Sequence, residues 1–384
     1  MRKILLLVLA LTFSMNSYSQ KKTEKKNTKW DVNNPHKDWT YNSFNLSSNE
    51  GTWMNLDVSP DEKSIVFDLL GDLYTMPISG GKATRIRSGL AYEVQPRFSP
   101  NGKYISFTSD AEGGNNIWVM TADGKNAKSI TKEKYRLLNN AVWTPDGKSL
   151  IARKHYTSTR SVGAGEMWQY PLSGSSGLKL TTRKNDQQDV NDPSISTDGK
   201  YLYYAEDMYP GGFFQYNKDP NKQIYVIKQY NFKTGKTKQI TGGPGGAARP
   251  VISKDGKLLA FVKRIRTKTA LYIHELETGK EWPVYQELSK DQQEAWAVFG
   301  VYPHFTWLKN NKDIIIWSGG KINKINIDNK QITNIPFQVN EKIKLTKTHR
   351  VKRKVFEESF TSKMIKNVQT APNGKSIVFT SLGH

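Results

Sequence analysis

The chain of 384 residues contains no cysteine. That excludes disulfides, a lipid-modified cysteine behind a signal peptide, thiolate catalysis and Cys-ligated zinc. Histidine is scarce. The six present (His36, His155, His274, His304, His349 and His384) form no H-x-H or H-E-x-x-H pair, so no metal pair is announced. His274 falls in a strand-like run and is expected to be structural. No G-x-S-x-G nucleophile elbow occurs, and "SGSSG" at 173–177 has the wrong spacing and reads as a turn. "GGPGGAARP" (242–250) lacks the Lys-Ser/Thr of a phosphate-binding loop and a following helix. There is no Asp-x-Asp-x-Asp calcium loop. Glu357-Glu358 reads as a solvated face. The chain therefore presents no catalytic residue, metal site or cofactor site of its own.

Long apolar runs are also missing. The longest, Ile4 to Phe13, follows Arg2 and Lys3 and precedes Ser17-Tyr18-Ser19. Ten apolar residues cannot span a hydrocarbon core of about 30 Å. A cleaved signal peptide over 1–19 is expected, then a flexible basic leader over 20–37 that includes "KKTEKK". No transmembrane segment is expected, and the mature chain belongs in the periplasm or outside the cell. Acidic residues are in deficit, 35 against 57 Lys and Arg, for a net charge of +22, which falls by two when Arg2 and Lys3 leave. The lysines are scattered through turns and strands, which describes a solvated surface. With export, this argues against a nucleic-acid partner.

What the chain has is a repeat. "SPDEKSIVF" (59–67) returns as "SPNGKYISF" (99–107), "TPDGKSLIA" (144–152), "STDGKYLYY" (196–204), "SKDGKLLAF" (253–261), "LKNNKDIII" (308–316) and "APNGKSIVF" (371–379). A spacing of 40 to 63 residues points to a propeller or solenoid. Asp-Gly or Asn-Gly supplies the positive φ of a tight hairpin turn, and a β-rich run follows. A second run such as "NIWVMTA", another turn such as Asp123-Gly124, and a short last strand complete each unit. Four antiparallel strands per repeat describe a propeller blade, so the fold class expected is an all-β propeller over 38–384 with its last blade incomplete. Helical periodicity is weak and confined to "LSKDQQEAWAVF" (288–299). A leucine-rich solenoid would show Leu at fixed offsets and intervening helices, and neither is seen.

Aligned on the turn, the residue four before it is always polar: Asn55, Gln95, Asn140, Asp192, Arg249, His304 and Asn367. The residue one before it is mostly large and apolar: Val58, Phe98, Trp143, Ile195, Ile252, Trp307 and Thr370. Strand side chains alternate faces, so the apolar set is expected between blades. The polar set is expected either to ring the mouth of a central channel or to be solvated strand ends. The tight turns share one face of the disc. The long connections, at 154–166, 206–222, 242–250 and 287–305, fall on the other. That elaborated face is the expected docking or substrate face, with Arg160, Glu166, Arg249 and His304 as its candidate residues.

The "S-P-D-G-K" turn with downstream "N-I-W-V-M" and "D-G" resembles the TolB-type repeat, also called WD40-like or PD40, from about Gly51 to the end. "EGTWMNLDVSPDEKSIVFDLLGDLYTMPISGG", "RSVGAGEMW", "GGPGGAARP" and "AVFGVYPHFTW" are similar to the N-terminal half of large exported amidohydrolase-type proteins. Those place such a propeller before a metal-dependent hydrolase barrel. The resemblance implies a scaffold that gates substrate or docks the barrel, with the C-terminal hydrolase domain of the same polypeptide as its partner. A divalent metal is implied only in that downstream domain. Two alternatives stay open: a stand-alone binding protein like TolB, with envelope proteins as partners, and the propeller half of a prolyl-oligopeptidase-type serine peptidase. "WTYNSFNL" (39–46) is the segment expected to close the ring against the last blade.

Overall fold

The computed structural model describes residues 32, 39–157, 163–209, 218–219, 222–295, 297–347, 353, 355, 358–361 and 363–384. The expected signal peptide and leader lie outside these residues, apart from residue 32. The described chain divides into two compact units, one essentially of residues 44–343 and one of 39–43 with 344–384.

The first unit carries six four-stranded antiparallel sheets, five of them built from four consecutive strands and the first interrupted by the short strand Gly81–Lys82, which pairs elsewhere. Their inner strands are Leu56–Val58, Glu93–Phe98, Leu137–Trp143, Val190–Ile195, Ala248–Ile252 and Thr306–Trp307. We number the blades one to six in that order. The repeated phrase is the turn between first and second strands, and its chemistry is local. In blade one, Ser59 Oγ donates to Asp61 Oδ1 (2.6 Å), and Asp61 Oδ1 accepts from Lys63 N (3.2 Å). Ser64 N donates back to Ser59 Oγ (3.0 Å). The residue that must turn left-handed is Gly102, Gly147, Gly199 or Gly256 in the middle blades, with φ from 66° to 75°. Glu62 (φ 58°) and Asn311 (φ 54°) hold the same position where glycine is missing.

Apolar clusters fill every junction between neighbouring blades, because each sheet is apolar on both faces. Phe107 and Leu73 join blades one and two, and Trp143 and Ile117 join two and three. Tyr204 and Met167 join three and four, and Phe261 and Tyr203 join four and five. A larger cluster runs from blade five through six to one. The ring closes without a shared strand. Gly51 N donates to Gly320 O (3.0 Å), Leu56 N to His304 O (3.3 Å) and Trp317 Nε1 to Gly51 O (2.8 Å). The segment expected to close it does something else: Tyr41–Ser48 lies beside Phe337–Thr346, which pairs in parallel with Gly81–Lys82 outside blade one.

The seventh repeat belongs to the second unit. Lys366–Thr370 and Ile377–Thr380 form a hairpin with Gln369 opposite Val378. It repeats the inner-strand bulge of the blades, with Asn367 at φ 55°. The apolar residues that blades bury, Val368, Ile377, Val378 and Phe379, are exposed in this hairpin. Six four-stranded sheets thus fall in the first unit, and the seventh repeat is a two-stranded hairpin in the second.

Candidate functional site: a plugged channel and a cup

The six polar residues on the inner strands or just before them are not solvated ends. All are buried. Gln95, Asn140, Asp192 and Arg249 take φ between 52° and 60°, and each sits where the register between first and second strand shifts. The bulge turns each residue's amide out of its own ladder. A side chain of the neighbouring blade then accepts from it in three cases. Asp68 Oδ2 accepts from Gln95 N (2.7 Å), Gln95 Oε1 from Asn140 N (2.9 Å) and Asp192 Oδ2 from Arg249 N (3.2 Å). His304 N donates to Asn55 Oδ1 (3.0 Å), and Asn55 Nδ2 donates to Asp68 Oδ2 (2.9 Å). Buried polar groups must be paired, and here the pairing passes from blade to blade.

The connection between blades five and six crosses this ring. Its carbonyls accept from four inner-strand side chains. Phe299 O takes Gln95 Nε2 (2.9 Å) and Val298 O takes Asn139 Nδ2 (2.7 Å). Ala297 O takes Asn191 Nδ2 (2.9 Å) and Tyr302 O takes Arg249 Nε (2.7 Å). Arg153, fully buried and bidentate on Asp189, adds a bond from Nη1 to Val298 O (3.1 Å). The segment 291–305 therefore touches blades one to five and plugs the channel. It is anchored at its start by Asp291, which accepts from Arg264 Nε (3.1 Å) and Thr269 Oγ1 (2.7 Å). The weak helical pattern at 288–299 is not helix. It is a chain held by its own carbonyls. Gly300 has φ 102°, and a Cβ there would fall 2.2 Å from Arg249 Nη2 and 2.7 Å from Asp192 Oδ1, so only glycine fits.

With one end plugged, the channel becomes a cup of about 450 Å³. It is lined by the ends of the inner strands and the tight turns, including Pro60, Pro100 and Pro145. It thus opens on the smooth face, not on the elaborated one. Its walls include the apolar Phe98, Trp143, Ile195, Val251 and Trp307, and its charged groups are Asp57, Glu62, Arg97, Lys254 and Lys309. Asp57 is raised by burial, offset by Arg97 and Lys254. Arg97 is pushed down to about 9 by burial, offset first by Asp57, and so stays charged at neutral pH.

His304 lines the same cup, and burial, with Arg97, Arg249 and Lys254 nearby, holds its imidazole well below the usual range. The folded state therefore keeps His304 neutral while the unfolded chain takes up a proton below about 6.5. The associated stability is complete above that pH and is lost as the pH falls. His155, pushed down to about 4 chiefly by burial, acts in the same direction. His304→Gln is expected to remove about 2 kcal/mol of the stability lost between pH 6.5 and 5, at about 1.4 kcal/mol per unit. Urea denaturation at both pH values checks it. An unchanged pH slope in the variant would count against this burial.

The other candidate residues fall elsewhere. Arg160 lies outside the described residues. Glu166 is buried in blade three, where Oε2 accepts from Trp168 Nε1 (3.1 Å) and Oε1 pairs with Arg183 (3.4 Å). It does not join the ring. Asn367 stands exposed on the hairpin of the second unit. Asp57, Arg97 and Trp307 were not singled out as site residues, although a signal was present. They lie two residues, or one, before each turn, and period-two alternation places Asp57 and Arg97 on the channel side with Asn55 and Gln95. Among the described residues no group of three or more His, Cys, Asp or Glu side chains is placed to hold a metal.

Six closed four-stranded blades, with these turns and this plugged axis, define a TolB-like β-propeller. Residues 55–164 match the model of the Tricorn protease N-terminal beta propeller domain. The chain is 26% identical over 175 residues to the uncharacterized peptidase YuxL of Bacillus subtilis, covering 44% of this chain and 21% of that protein. It is 26% identical over 190 residues to the Tol-Pal system protein TolB of Helicobacter hepaticus, covering 48% of this chain and 44% of that one. The crystal structure of TolB from Acinetobacter baumannii superposes with a TM-score of 0.54 at 17% identity, over 74% of this chain and 63% of the other. The chain thus spans less than half the length of these two sequence relatives.

Proposed function

We propose that this propeller is the non-catalytic docking scaffold of an exported hydrolase of amidohydrolase type, acting in the periplasm or outside the cell. The observation that carries the scaffold role is the plug. An axis crossed by a segment bonded to five blades is not a route for substrate, so the channel holds position rather than gating passage. The stretches similar to amidohydrolase-type proteins support the same role. "AVFGVYPHF" is the plug itself, and "GGPGGAARP" supplies Arg249 and Gly245, whose carbonyl accepts from Gln293 Nε2 (2.9 Å). In "RSVGAGEMW", a Cβ on Gly165 would fall 2.2 Å from Asp189 Oδ1, the partner of Arg153. These are packing motifs, so the likeness concerns how the scaffold is held and not how a bond is broken.

A second reading, the propeller half of a serine peptidase, is favoured by the match to the peptidase YuxL. Both readings place the chemistry outside this chain. The purified chain is expected to show no hydrolysis of amide, ester or peptide substrates, with or without added Zn²⁺ or Mn²⁺. Saturable turnover by the folded chain would overturn the scaffold role. Joined to its natural downstream sequence, a barrel with H-x-H would be metal-dependent and sensitive to chelators. A G-x-S-x-G domain would instead be sensitive to serine-directed inhibitors.

A further inference from the structure

The cup contains a cation that makes no direct ion pair among the described residues, although the Asp57 carboxylate is near enough to favour its charge. Arg97 is 4% exposed and lines the cup. Its Nη1 donates to Pro96 O (2.6 Å), and its Nη2 has no acceptor among the described residues. The neighbouring carboxylate does not serve. Asp57 Oδ1 accepts from Val58 N (2.9 Å) and Oδ2 from Phe98 N (2.9 Å), so it is committed to the backbone of blades one and two. Asp68 and Asp192 are likewise committed, to Asn55 and Gln95 and to Arg249 and Asn140. The other buried arginines, Arg153, Arg249 and Arg264, each have a carboxylate partner at 2.8 Å or less. A buried guanidinium nitrogen lacking an acceptor is costly to retain unless something supplies one.

The open end of the cup favours a specific supplier. Lys254 is exposed and also lines the cup, adding positive charge above Arg97. The walls between include the apolar Phe98, Trp143, Ile195 and Trp307. A volume of about 450 Å³ suits a ligand the size of a short peptide.

We propose that the smooth-face cup binds a carboxylate carrying an apolar body, with the carboxylate on Arg97 and the body against Phe98 and Ile195. Two sources share that chemistry, the C-terminus of an apolar peptide and a free apolar acid. The inference does not rest on the hydrolase reading, because it concerns a site within this chain and is tested without turnover.

The test is calorimetric titration of the full chain with N-acetyl-Leu-Phe as the acid, the same peptide as its C-terminal amide, and 4-phenylbutyrate. The acid peptide is expected to bind at least about tenfold more tightly than the amide, the share of one charge-assisted hydrogen bond. Arg97→Met is expected to abolish that preference while leaving the amide unchanged. Exchanging a buried cation for an apolar side chain of similar length is compatible with folding. Lys254→Ala, on the surface, is expected to weaken the acid about twofold to threefold and keeps the test informative should Arg97→Met not fold. Phenylbutyrate binding as tightly as the peptide acid assigns the free acid as source. Weaker binding assigns the peptide terminus. Equal affinity for acid and amide, no binding of any of the three, or a preference that survives Arg97→Met would overturn the proposal.

Discussion

Arg249→Ala is expected to destabilise the propeller by about 3–5 kcal/mol, the cost of leaving a buried carboxylate without its cation. Arg249 is 1% exposed and Asp192 fully buried, and Nη2 lies 2.8 Å from Asp192 Oδ1. That approach is an ion pair with poor hydrogen-bond direction, since Nη2 finds no well-aligned acceptor. The aligned bonds are Nε to Tyr302 O (2.7 Å) and Nη1 to Asn140 Oδ1 (3.2 Å). One side chain thus joins blade five to blade three and to the plug. Asp192→Asn in the same chain is expected to recover part of the loss, because the stranded charge is then gone. Guanidinium denaturation of the two single variants and the double variant measures the coupling. A loss below about 1 kcal/mol for Arg249→Ala would mean the ion pair is not buried as described.

Trp307→Ala is expected to cost a similar amount, about 3–5 kcal/mol, by a different route. Trp307 is 1% exposed within the cluster that joins blades five, six and one, and its Nε1 donates to Val251 O (2.9 Å). Trp143 makes the equivalent bond between blades three and two, to Arg97 O (3.1 Å). Each indole therefore fills a junction and ties its blade to the inner strand before it. Trp307→Phe keeps most of the volume and removes the donor, leaving Val251 O unpaired, and is expected to cost about 1–2 kcal/mol. Thermal denaturation separates the two effects. Equal losses for Ala and Phe would show that the hydrogen bond, not the packing, dominates.

Local features were legible in the sequence, and distant ones were not. The turns could be read because Ser59, Asp61 and Ser64 bond within five residues of one another. The apolar residue before each turn could be placed between blades because strand alternation needs no partner to be known. The polar ring was visible as a column of Asn, Gln, Asp, Arg and His, but not its burial, which depends on bonds such as Asn140 Nδ2 to Asp192 Oδ1 (3.0 Å) across blades. The plug could not be read at all. It is held through backbone carbonyls, which carry no residue identity, by side chains as far away as Gln95, 204 residues from Phe299. Its one local trace is Gly300, and a lone glycine does not announce a left-handed residue against an arginine. Closure of the ring was out of sight for a related reason, since it depends on Gly51, Gly320 and Trp317 meeting across the chain.

The measurement that bears most directly on the central claim is hydrogen exchange across 291–304, resolved by mass spectrometry. The amides of Asp291, Gln292, Gln293, Gly300 and His304 all donate within the protein. A plug bonded to five blades should open only with the ring, so these amides are expected to exchange as slowly as those of the inner strands. Exchange at the rate of an exposed loop, while the inner strands stay protected, would contradict a plugged channel and the blind cup that depends on it.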